Sequence, residues 1–544
     1  MLILGVTHPI SLNNAACLIN ENGIIAMVEE ERLNRVKHAP HMVPRLAIDY
    51  CLKQAGAQLA DVDHIAVGFD RPLQAALPNL REPFPYGIYR TARLLKNTWR
   101  YERALSLDSV WNKVTFVNHH MAHVASSYYL SGFEEANILS LDGSGGGESG
   151  LLGYGKGAEV TIFEKISNAG SWGQLYEEVT ELLGFRRHSG EGKTMGLAAY
   201  GTPDKKGFPF IDWSSPTPRI KFAQKRKFLA TIVPRQKNDP LTDYHRNLAA
   251  TLQYTLEQAG LAMVKYLLER TGSRRLCLAG GTALNCSMNG ALLHSPYVDE
   301  IFIQPAAHDA GTALGAAVYI LVQKTGRLPT FEFDHAYWGP EYGDQEIEEA
   351  IQSTGLTTFA KQDDIITVTA SLLAQGKIVG WFQGRAEVGP RALCNRSILA
   401  DPSDPTMKDK INKTIKHREP WRPFAPSIAV EDLADYVQDP APSPFMILAF
   451  QTKPDKLKEI VSAIHVDNTC RPQSVDQHTN PRMWQLLQEF KAQTGIAALL
   501  NTSFNDNDEP IVCSPYDALK TFLASDIDYV VLGDYLVWKD NARS

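Results

Sequence analysis

The chain begins with three short apolar runs, MLILGV (residues 1–6), AACLI (15–19) and IIAMV (24–28). Short runs rich in Ile, Leu and Val indicate β-strands, and Asn22-Gly23 between the second and third runs is a hairpin signal. The N-terminus is therefore predicted to form a meander of three strands.

A meander of this kind, later joined by helices, fits a ribonuclease H-like core. That core is the unit duplicated in sugar kinases, actin and heat-shock ATPases. Helical periodicity over residues 43–55 and 242–270, with strand patterns over residues 63–68 and 301–304, agrees with an α/β fold. No internal sequence repeat is visible.

Two histidines lie four residues apart in NHHMAH (residues 118–123). On a helix, His119 and His123 share a face, so both imidazoles can point at one ion. Asp142 follows a short apolar strand, and Gly143 opens a glycine-rich turn with free N–H groups, which suits a site for a metal and a phosphate together. The alternatives are ordinary helix or core histidines and a plain loop.

Three further segments carry candidate ligands. Asp309, just before a helix of small residues, is either a second carboxylate for the ion or the N-cap of that helix. The diglycine Gly280-Gly281 follows a strand and would let adenosine approach the backbone, and Asn285 would cap a helix or hydrogen-bond the ribose. Lys193 lies in a glycine-rich stretch without Walker A spacing, where it contacts a phosphate or carbonyl or is a solvated loop lysine.

Composition is ordinary for a globular protein, with 44% hydrophobic and 21% charged residues. A net charge of −7 gives no reason to expect nucleic acid or an anionic membrane as a partner. The 7 cysteines are scattered and form no CxxC pair, so we expect buried thiols in a reducing cytoplasm. Neither a signal peptide nor a membrane span is expected.

The composition changes after a Pro- and Gly-containing stretch, so we expect an N-terminal domain over residues 1–335, a linker over 336–355 and a C-terminal domain over 356–544. Basic side chains recur in the last of these beside Gly, Pro and Ser turns, and guanidinium forks suit phosphate binding. Snorkelling or pairing with carboxylates is the alternative. These residues are Arg391, Arg396, Lys416, Arg418, Arg422 and Arg471.

Taken together, these motifs resemble the NodU/CmcH-type carbamoyltransferase family, which includes antibiotic O-carbamoyltransferases. The resemblance spans nearly the whole chain. It is carried by EEERLNRVKH (29–38), HHMAH (119–123), DG (142–143), GKTMGLA (192–198), GGTALN (280–285), GPRALCNRS (389–397), KHREPWRPFAP (416–426) and NTSFN (501–505).

The resemblance implies a duplicated ribonuclease H-like N-terminal domain and a C-terminal YrdC-like α/β domain. It implies metal ligation, usually of iron, by His119, His123, Asp142 and Asp309; manganese or zinc would also fit. It also implies contacts to carbamoyl phosphate and ATP, the latter with magnesium. These come from Lys416, Arg422, Arg471 and Ser503, with Arg391, Arg396 and Ser397 nearby. Arg418 and Asn501, which lie in the same stretches, are further candidate contacts.

Two departures from the family pattern concern the proton acceptor and the acceptor pocket. Leu12-Asn13-Asn14 stands where the family usually has His-Asp, and His308 replaces a usual glycine. Candidates for taking or guiding the proton are therefore His120, His8 and Lys37.

The function implied is ATP-dependent O-carbamoyl transfer in natural-product tailoring. Carbamoyl phosphate and ATP give carbamoyl adenylate in the C-terminal domain, and the carbamoyl group then passes to a hydroxyl at the metal site. The acceptor is an aminoglycoside, a polyketide or a sugar, and the oligomeric state stays open, a homodimer included. The alternatives are a non-catalytic nucleotide-binding regulator and a small-molecule kinase of the same fold.

Overall fold

The computed structural model describes residues 1–71, 88–89, 91–92, 96, 108–237 and 239–539. Contacts divide these residues into two units. The first comprises the described residues of Met1–Asn34 and His38–Phe333, and the second those of Arg35–Lys37 and Asp334–Ser544. The segment from Arg71 to Asp108 contains several prolines and aromatic residues, which suggest either an insertion that shapes an acceptor pocket or a surface excursion. Most of it lies outside the described residues.

The predicted N-terminal meander begins the first sheet of the first unit. The sheet order is β3-β2-β1-β4-β5. β1 pairs antiparallel with β2, and β2 with β3, whereas β4 and β5 add on parallel to β1. These strands are β1 Ile3–Val6, β2 Ala15–Asn20, β3 Gly23–Glu29, β4 His64–Val67 and β5 Val114–Phe116.

The second sheet of this unit repeats that topology. Its order, read from the far edge, is β8-β7-β6-β11-β12, with antiparallel pairs β8-β7-β6 and parallel pairs β6-β11-β12. The strands are β6 Glu135–Gly145, β7 Glu148–Lys156, β8 Glu159–Ser167, β11 Arg275–Ala279 and β12 Glu300–Ile303, with a separate pair β9 Ile211–Asp212 and β10 Arg219–Ile220. The same order and pairing in both sheets confirm a duplicated ribonuclease H-like domain.

The first unit's helices follow the apolar periodicity of the sequence. Residues 43–55 and 242–270, predicted to be helical, match α2 and α7 to within two residues at each end. The described helices are α1 Glu30–Asn34, α2 Arg45–Gln54, α3 His119–Tyr128, α4 Trp172–Leu182, α5 Glu191–Ala198, α6 Phe222–Leu229, α7 Asp243–Thr271, α8 Cys286–Leu293 and α9 Gly311–Thr325.

Small residues bring α3 and α9 into close contact. A Cβ at Gly315 would lie 1.8 Å from the carbonyl oxygen of Ala122, so the backbones approach where a side chain would clash. Helix α9 also packs against β1, where a Cβ at Gly5 would lie 2.0 Å from the carbonyl oxygen of Ala313. The residues just before α9 are thereby held next to the first turn of α3.

The second unit is built on an eight-stranded mixed sheet, in the order β13-β22-β21-β14-β15-β20-β16-β19. Apolar clusters cover it, with Trp381 and Phe504 among the largest buried side chains. Its strands are β13 Phe359–Lys361, β14 Val379–Phe382, β15 Arg396–Ala400, β16 Ala425–Ala429, β19 Gln473–Val475, β20 Ala498–Ser503, β21 Tyr529–Leu532 and β22 Tyr535–Trp538. A separate antiparallel pair is formed by β17 Phe450–Gln451 and β18 Thr469–Cys470.

Helices of the second unit begin inside the range expected to be a linker. Helix α10 buries Ile347 and Ile351 in the apolar core of this unit, so much of residues 336–355 is regular and packed. The described helices are α10 Asp344–Ser353, α11 Ile365–Ala374, α12 Met407–Thr414, α13 Leu433–Tyr436, α14 Pro481–Thr494 and α15 Pro515–Leu523. The predicted α/β fold class is confirmed for both units.

Among the described residues, no helix combines the length and the apolar character needed to cross a bilayer. All seven cysteines fall within these residues, and each is buried and unbridged, as the sequence indicates.

Candidate functional site

The first turn of α3 presents two histidines from one face of the helix. Asn118 is the N-cap, and its side chain accepts a hydrogen bond from the backbone N–H of Met121 at 3.0 Å. The Asn118 amide donates to Asp70 Oδ1 at 2.9 Å, and Asp70 Oδ2 accepts from the N–H of His119 at 3.3 Å. This cap fixes where the helix starts and therefore where His119 and His123 point.

Asp142 lies on a bulge in β6. The sequence suggests that the strand stops at this residue, but β6 runs on to Gly145, and the pairing register with β7 shifts between Leu141 and Gly145. A bulge of this kind re-aims a side chain at the edge of a site. Gly145 then packs against His119, where a Cβ would lie 1.9 Å from Cδ2 of the imidazole.

Asp309 comes to the same place from the segment before α9. The N-cap of that helix is Ala310, and no side chain caps it, so the capping alternative for Asp309 does not apply. Its Oδ2 accepts a hydrogen bond from the N–H of Leu12 at 3.1 Å. The departure from the family pattern around Leu12 therefore lies beside a predicted metal ligand.

Four predicted ligands meet with their donor atoms facing one another. One donor atom from each of His119, His123, Asp142 and Asp309 lies within 4.8 Å of all the others. Nε2 of His119 lies 3.2 Å from Nε2 of His123, 3.3 Å from Asp142 Oδ2 and 3.8 Å from Asp309 Oδ1.

In each carboxylate of this cluster, one oxygen accepts a backbone hydrogen bond and the other faces His119. Asp142 Oδ1 accepts from the N–H of Gly281 at 2.9 Å, and Asp309 Oδ2 accepts from Leu12. The other oxygen of each faces His119. Backbone bonds that orient the carboxylates while leaving one oxygen inward are the usual outer support of metal ligands.

If both imidazoles of this cluster were neutral, the negative charges of Asp142 and Asp309 would have no positive charge beside them within the cluster. Burial opposes protonation of His119, but its hydrogen bond to Asp142 and the charges of Asp309 and Asp142 outweigh burial and raise its pKa to about 9. Burial and the charge of His119 hold the pKa of His123 well below its usual range. Asp142 is buried and Asp309 half-buried, and burial and the charge of Asp142 raise the pKa of Asp309. Positive charge between the two carboxylates, whether a proton on His119 or a bound cation, would relieve their repulsion.

The geometry and donor set fit a divalent first-row cation. Ligands bound to one such ion at 2.0–2.2 Å lie roughly 3.0–3.4 Å from their neighbours, and the closest separations in the cluster are of that size. Two imidazoles with two carboxylate oxygens suit iron(II), manganese or zinc.

His120 and His8 lie near this cluster but are not among the four residues whose donor atoms face one another. The His120 ring lies 5.1 Å from the His119 ring, and burial together with the charge of His119 lowers its pKa to about 4. His8 stacks on Phe69 at 5.2 Å, and Phe69 meets His119 edge-on at 5.5 Å. Nδ1 of His8 accepts from the N–H of Ile10 at 3.1 Å, which assigns the proton of the neutral ring to Nε2.

The residues predicted for nucleotide contacts in this unit have structural partners. Gly281 holds Asp142, and Gly280, at φ 86°, packs against the carbonyl of Leu141, which a Cβ would meet at 2.2 Å. Asn285 caps α8 through the N–H of Met288 and pairs with Gln253.

Two further residues of this predicted set lie on regular structure. The carbonyl of Gly143, within β6, accepts from Ser171 Oγ at 2.7 Å and from Gln174 Nε2 at 3.0 Å. Lys193 belongs to α5, where the sequence suggests a loop.

His308, which stands where the family pattern usually has glycine, contacts Glu29. Its Nε2 lies 3.4 Å from Glu29 Oε1.

The second unit gathers a separate group of cations around Lys416. This lysine is 3% exposed, and its Nζ donates to Ser503 Oγ at 3.1 Å and to Asn505 at 2.9 Å (O) and 2.7 Å (Oδ1), as well as to the Ser503 carbonyl. Burial, with the nearby charges of Arg418, Arg422 and Lys37, holds the pKa of Lys416 well below its usual range. Lys37, predicted at the proton-transfer site, thus groups with this cluster.

Three arginines stand close enough to repel one another. The pKa of Arg418 is lowered by burial and then by the charges of Arg422 and Arg471. The pKa of Arg422 is also lowered by burial; the charge of Glu419 partly compensates, and that of Arg471 lowers it further. Arg418 stacks on Phe424 and donates to Asn412 Oδ1 at 2.6 Å. Crowded cations in a partly dry site are stabilised by an anion of several charges.

Other members of the predicted anion set have different surroundings. Arg396 is fully buried, stacks on Phe382, and donates to carbonyl oxygens of Gln383, Asn395, Pro340 and Gly384 at 2.5–3.0 Å. Its guanidinium therefore holds the backbone together. Ser397 Oγ accepts from the N–H of Cys394, and Asn501 donates to Ser427 Oγ within the same buried layer. Arg391 is half-buried beside Gly389, which has φ 97°.

Sequence reasoning missed several residues that shape the two clusters. Asp70 and Gly145 orient His119, and Asn505 supplies two of the acceptors of Lys416. Asn505 ends the NTSFN stretch (residues 501–505), so its motif could have identified it. Asp70 and Gly145 act through contacts across the fold that no local pattern reveals.

Two family models match the chain along most of its length. The model described as "Carbamoyltransferase N-terminus" matches residues 2–318, and "Carbamoyltransferase C-terminus" matches residues 370–539. The chain belongs to the carbamoyltransferase family. The predicted family resemblance is thereby confirmed, and the protein is an enzyme that transfers a carbamoyl group.

Curated relatives agree with this membership. The carbamoyltransferase is 40% identical over 553 residues to "Nodulation protein NolNO" of Sinorhizobium fredii, covering 97% of this chain and 79% of that protein. It is 34% identical over 270 residues to "3'-hydroxymethylcephem-O-carbamoyltransferase" of Amycolatopsis lactamdurans, about half of each chain at 49% and 49%.

Solved structures resemble the carbamoyltransferase more distantly. HypF of T. kodakarensis has a TM-score of 0.36 and 15% identity, covering 60% of this chain and 48% of that one. Component A of (R)-2-hydroxyglutaryl-CoA dehydratase of Acidaminococcus fermentans has a TM-score of 0.33 and 14% identity, covering 59% and 97%. The fold assignment rests instead on the repeated strand order of the first unit.

Proposed function

We propose that this carbamoyltransferase uses ATP to activate its carbamoyl donor at the Lys416 cluster and completes transfer to a hydroxyl at the His119 cluster. The observation that carries this proposal is the crowding of Lys416, Arg418, Arg422 and Arg471, whose mutual repulsion a polyphosphate would relieve. Carbamoyl phosphate and the triphosphate of ATP are anions of the required kind.

In the first reaction, carbamoyl phosphate, ATP and water give carbamoyl adenylate, pyrophosphate and phosphate. Water first cleaves the bond between the carbamoyl oxygen and phosphorus, which releases phosphate and leaves carbamate. A carbamate oxygen then forms a bond to the α-phosphorus of ATP while the α–β anhydride bond breaks and pyrophosphate leaves. Lys416 and the arginines bind the phosphates and neutralise charge that shifts to the leaving pyrophosphate. Arg422 retains a partly exposed side chain, which leaves its fork accessible to an entering anion.

In the second reaction, the acceptor oxygen forms a bond to the carbamoyl carbon, the bond to the AMP oxygen breaks, and the hydroxyl proton is released. When bound by His119, His123, Asp142 and Asp309, iron(II) or a similar cation would supply Lewis acidity to a carbonyl oxygen and positive charge to a phosphate. The protein itself orients these ligands through Leu12, Gly281 and the cap at Asn118.

The test separates the two reactions. Lys416→Met should abolish carbamoyl-phosphate-dependent exchange of labelled pyrophosphate into ATP, because the buried ammonium is lost. His123→Ala should retain that exchange while losing carbamoylated products, measured by mass spectrometry with a panel of aminoglycoside, polyketide and sugar acceptors. Loss of both activities in both variants, at unchanged melting temperature, would contradict the division into two sites.

A further inference from the structure

Residues Arg35–Lys37 belong to the second unit by their contacts, although they are encoded far from it in the sequence. The Arg35 guanidinium donates through Nη1 to the carbonyl of Ile511 at 2.6 Å and through Nη2 to the carbonyl of Pro510 at 2.9 Å. Nε of Arg35 lies 3.3 Å from Asp517 Oδ1. One planar group thus joins the loop before α15 to the first turn of that helix.

Lys37 binds the same loop one residue earlier. Its Nζ donates to the carbonyl of Glu509 at 2.8 Å, and that carbonyl also accepts from Asn505 Nδ2 at 2.7 Å. The Oδ1 atom of Asn505 accepts in turn from Lys416 Nζ and from Ser503 Oγ, both at 2.7 Å. A continuous set of hydrogen bonds therefore leads from residues 35–37 to the ammonium of Lys416.

The loop that these bonds hold, residues 504–514, runs from the end of β20 to the start of α15 without regular structure. Within it, the N–H of Val512 bonds to the carbonyl of Phe504 at 2.9 Å, and Asp517 Oδ2 accepts from the N–H of Ser514 at 2.9 Å. Arg35 spans the interval between these two fixed points, because its partners are the carbonyls at 510 and 511 and the carboxylate at 517.

The backbone at Arg35 also departs from an ordinary conformation. Arg35 has φ 61°, in the left-handed region that side-chain-bearing residues rarely adopt. Such a conformation persists where surrounding contacts over-determine it, and it concentrates near functional sites. The contacts that hold Arg35 in this conformation are those to Ile511, Pro510 and Asp517.

We infer that Arg35 is a positioning residue for the Lys416 site. It fixes the loop 504–514 so that Asn505 presents Oδ1 to the Lys416 ammonium, and polyphosphate then meets a lysine already held in place. This inference rests on the proposed function of the Lys416 cluster. It assigns Arg35 no contact with the reactants.

The test uses the full-length enzyme and inorganic pyrophosphate as the probe. Arg35→Ala should weaken pyrophosphate binding, measured by calorimetry, by about tenfold or more, since it removes three charge-assisted contacts from the loop. Arg35→Lys should recover part of this loss, because one ammonium reaches one or two of the three partners. Arg45→Ala, which removes an exposed arginine of the first unit, is the matched control and should bind as wild type does.

Hydrogen–deuterium exchange distinguishes positioning from general stabilisation. In Arg35→Ala, the amide of Val512 and its neighbours should exchange faster while those of β15 and β20 keep their protection. If Arg35→Ala lowers the melting temperature strongly, Asp517→Asn provides the same readout with the two carbonyl contacts intact.

The outcomes separate this inference from the proposed function. Wild-type enzyme that neither binds pyrophosphate nor catalyses exchange would contradict the proposed function. Wild-type binding together with unchanged affinity and unchanged loop exchange in Arg35→Ala would overturn the positioning role alone.

Discussion

Nε2 of His119 lies 3.2 Å from Nε2 of His123, on a helix whose first turn is fixed by Asn118. Two nitrogens at this separation either share a proton or face one cation. Asp142 and Asp309 each hold one oxygen to a backbone N–H and turn the other inward, so a divalent cation bound between them would balance the charge of both carboxylates.

Metal content tests this directly. Enzyme produced with iron, manganese and zinc in the medium should carry close to one equivalent of a divalent cation by plasma mass spectrometry. His123→Ala should lower that content by at least tenfold, because one ligand is lost and the others retain only partial binding. His188→Ala removes a half-exposed histidine paired with Glu177 and should leave the content unchanged. Equal metal content in wild type and His123→Ala would contradict the site.

Gly145 offers a steric test of the same cluster without changing a ligand. An alanine Cβ there would lie 1.9 Å from Cδ2 of His119, so the ring or the strand must move. We expect Gly145→Ala to cost about 1–3 kcal/mol of stability and to lower cation content. Gly192→Ala is the control, because a Cβ at that helical position meets nothing within 4 Å. Unchanged melting temperature and metal content in Gly145→Ala would show that the ring is not held there.

The sequence alone predicts the candidate metal ligands better than it predicts the residues that orient them. His119, His123 and Asp142 follow from helical spacing and a strand end, which are local patterns. Gly145 and Leu12 act on them through contacts between distant segments, so no spacing rule reveals them. The duplication is predicted only through the family resemblance, because it resides in strand order and pairing while the two halves share no visible sequence repeat.

Local sequence also cannot distinguish the roles of two arginines whose sequence surroundings are similar. Arg396 and Arg422 both stand beside turns, yet Arg396 is enclosed by carbonyl oxygens and Arg422 keeps a side chain 29% exposed. Arg396→Lys should destabilise the protein by about 3 kcal/mol or more, because an ammonium cannot satisfy those carbonyls. Arg422→Lys should leave the melting temperature unchanged and weaken pyrophosphate binding. A stable Arg396→Lys variant with impaired binding would instead give Arg396 the predicted ligand role.

Lys416 should make anion binding depend on pH. Burial and the charges of Arg418, Arg422 and Lys37 hold the pKa of Lys416 below its usual range, with Asp506 opposing them. A bound polyphosphate favours the protonated lysine and raises that pKa, so binding takes up a proton between the two pKa values. Pyrophosphate affinity should therefore fall as pH rises through this interval.

Calorimetry in buffers of different ionisation enthalpy measures that proton uptake. The wild-type enzyme should take up a fraction of a proton per pyrophosphate bound, whereas Lys416→Met should bind more weakly and lose this component. Pyrophosphate itself titrates near neutral pH, and its contribution is the same in both proteins, so their difference isolates Lys416. Identical proton uptake in the two proteins would mean that the Lys416 ammonium does not meet the anion. Among the described residues, the hydrogen-bond partners of the Lys416 ammonium are Ser503 and Asn505, whose groups do not titrate in this pH range and add no proton uptake of their own.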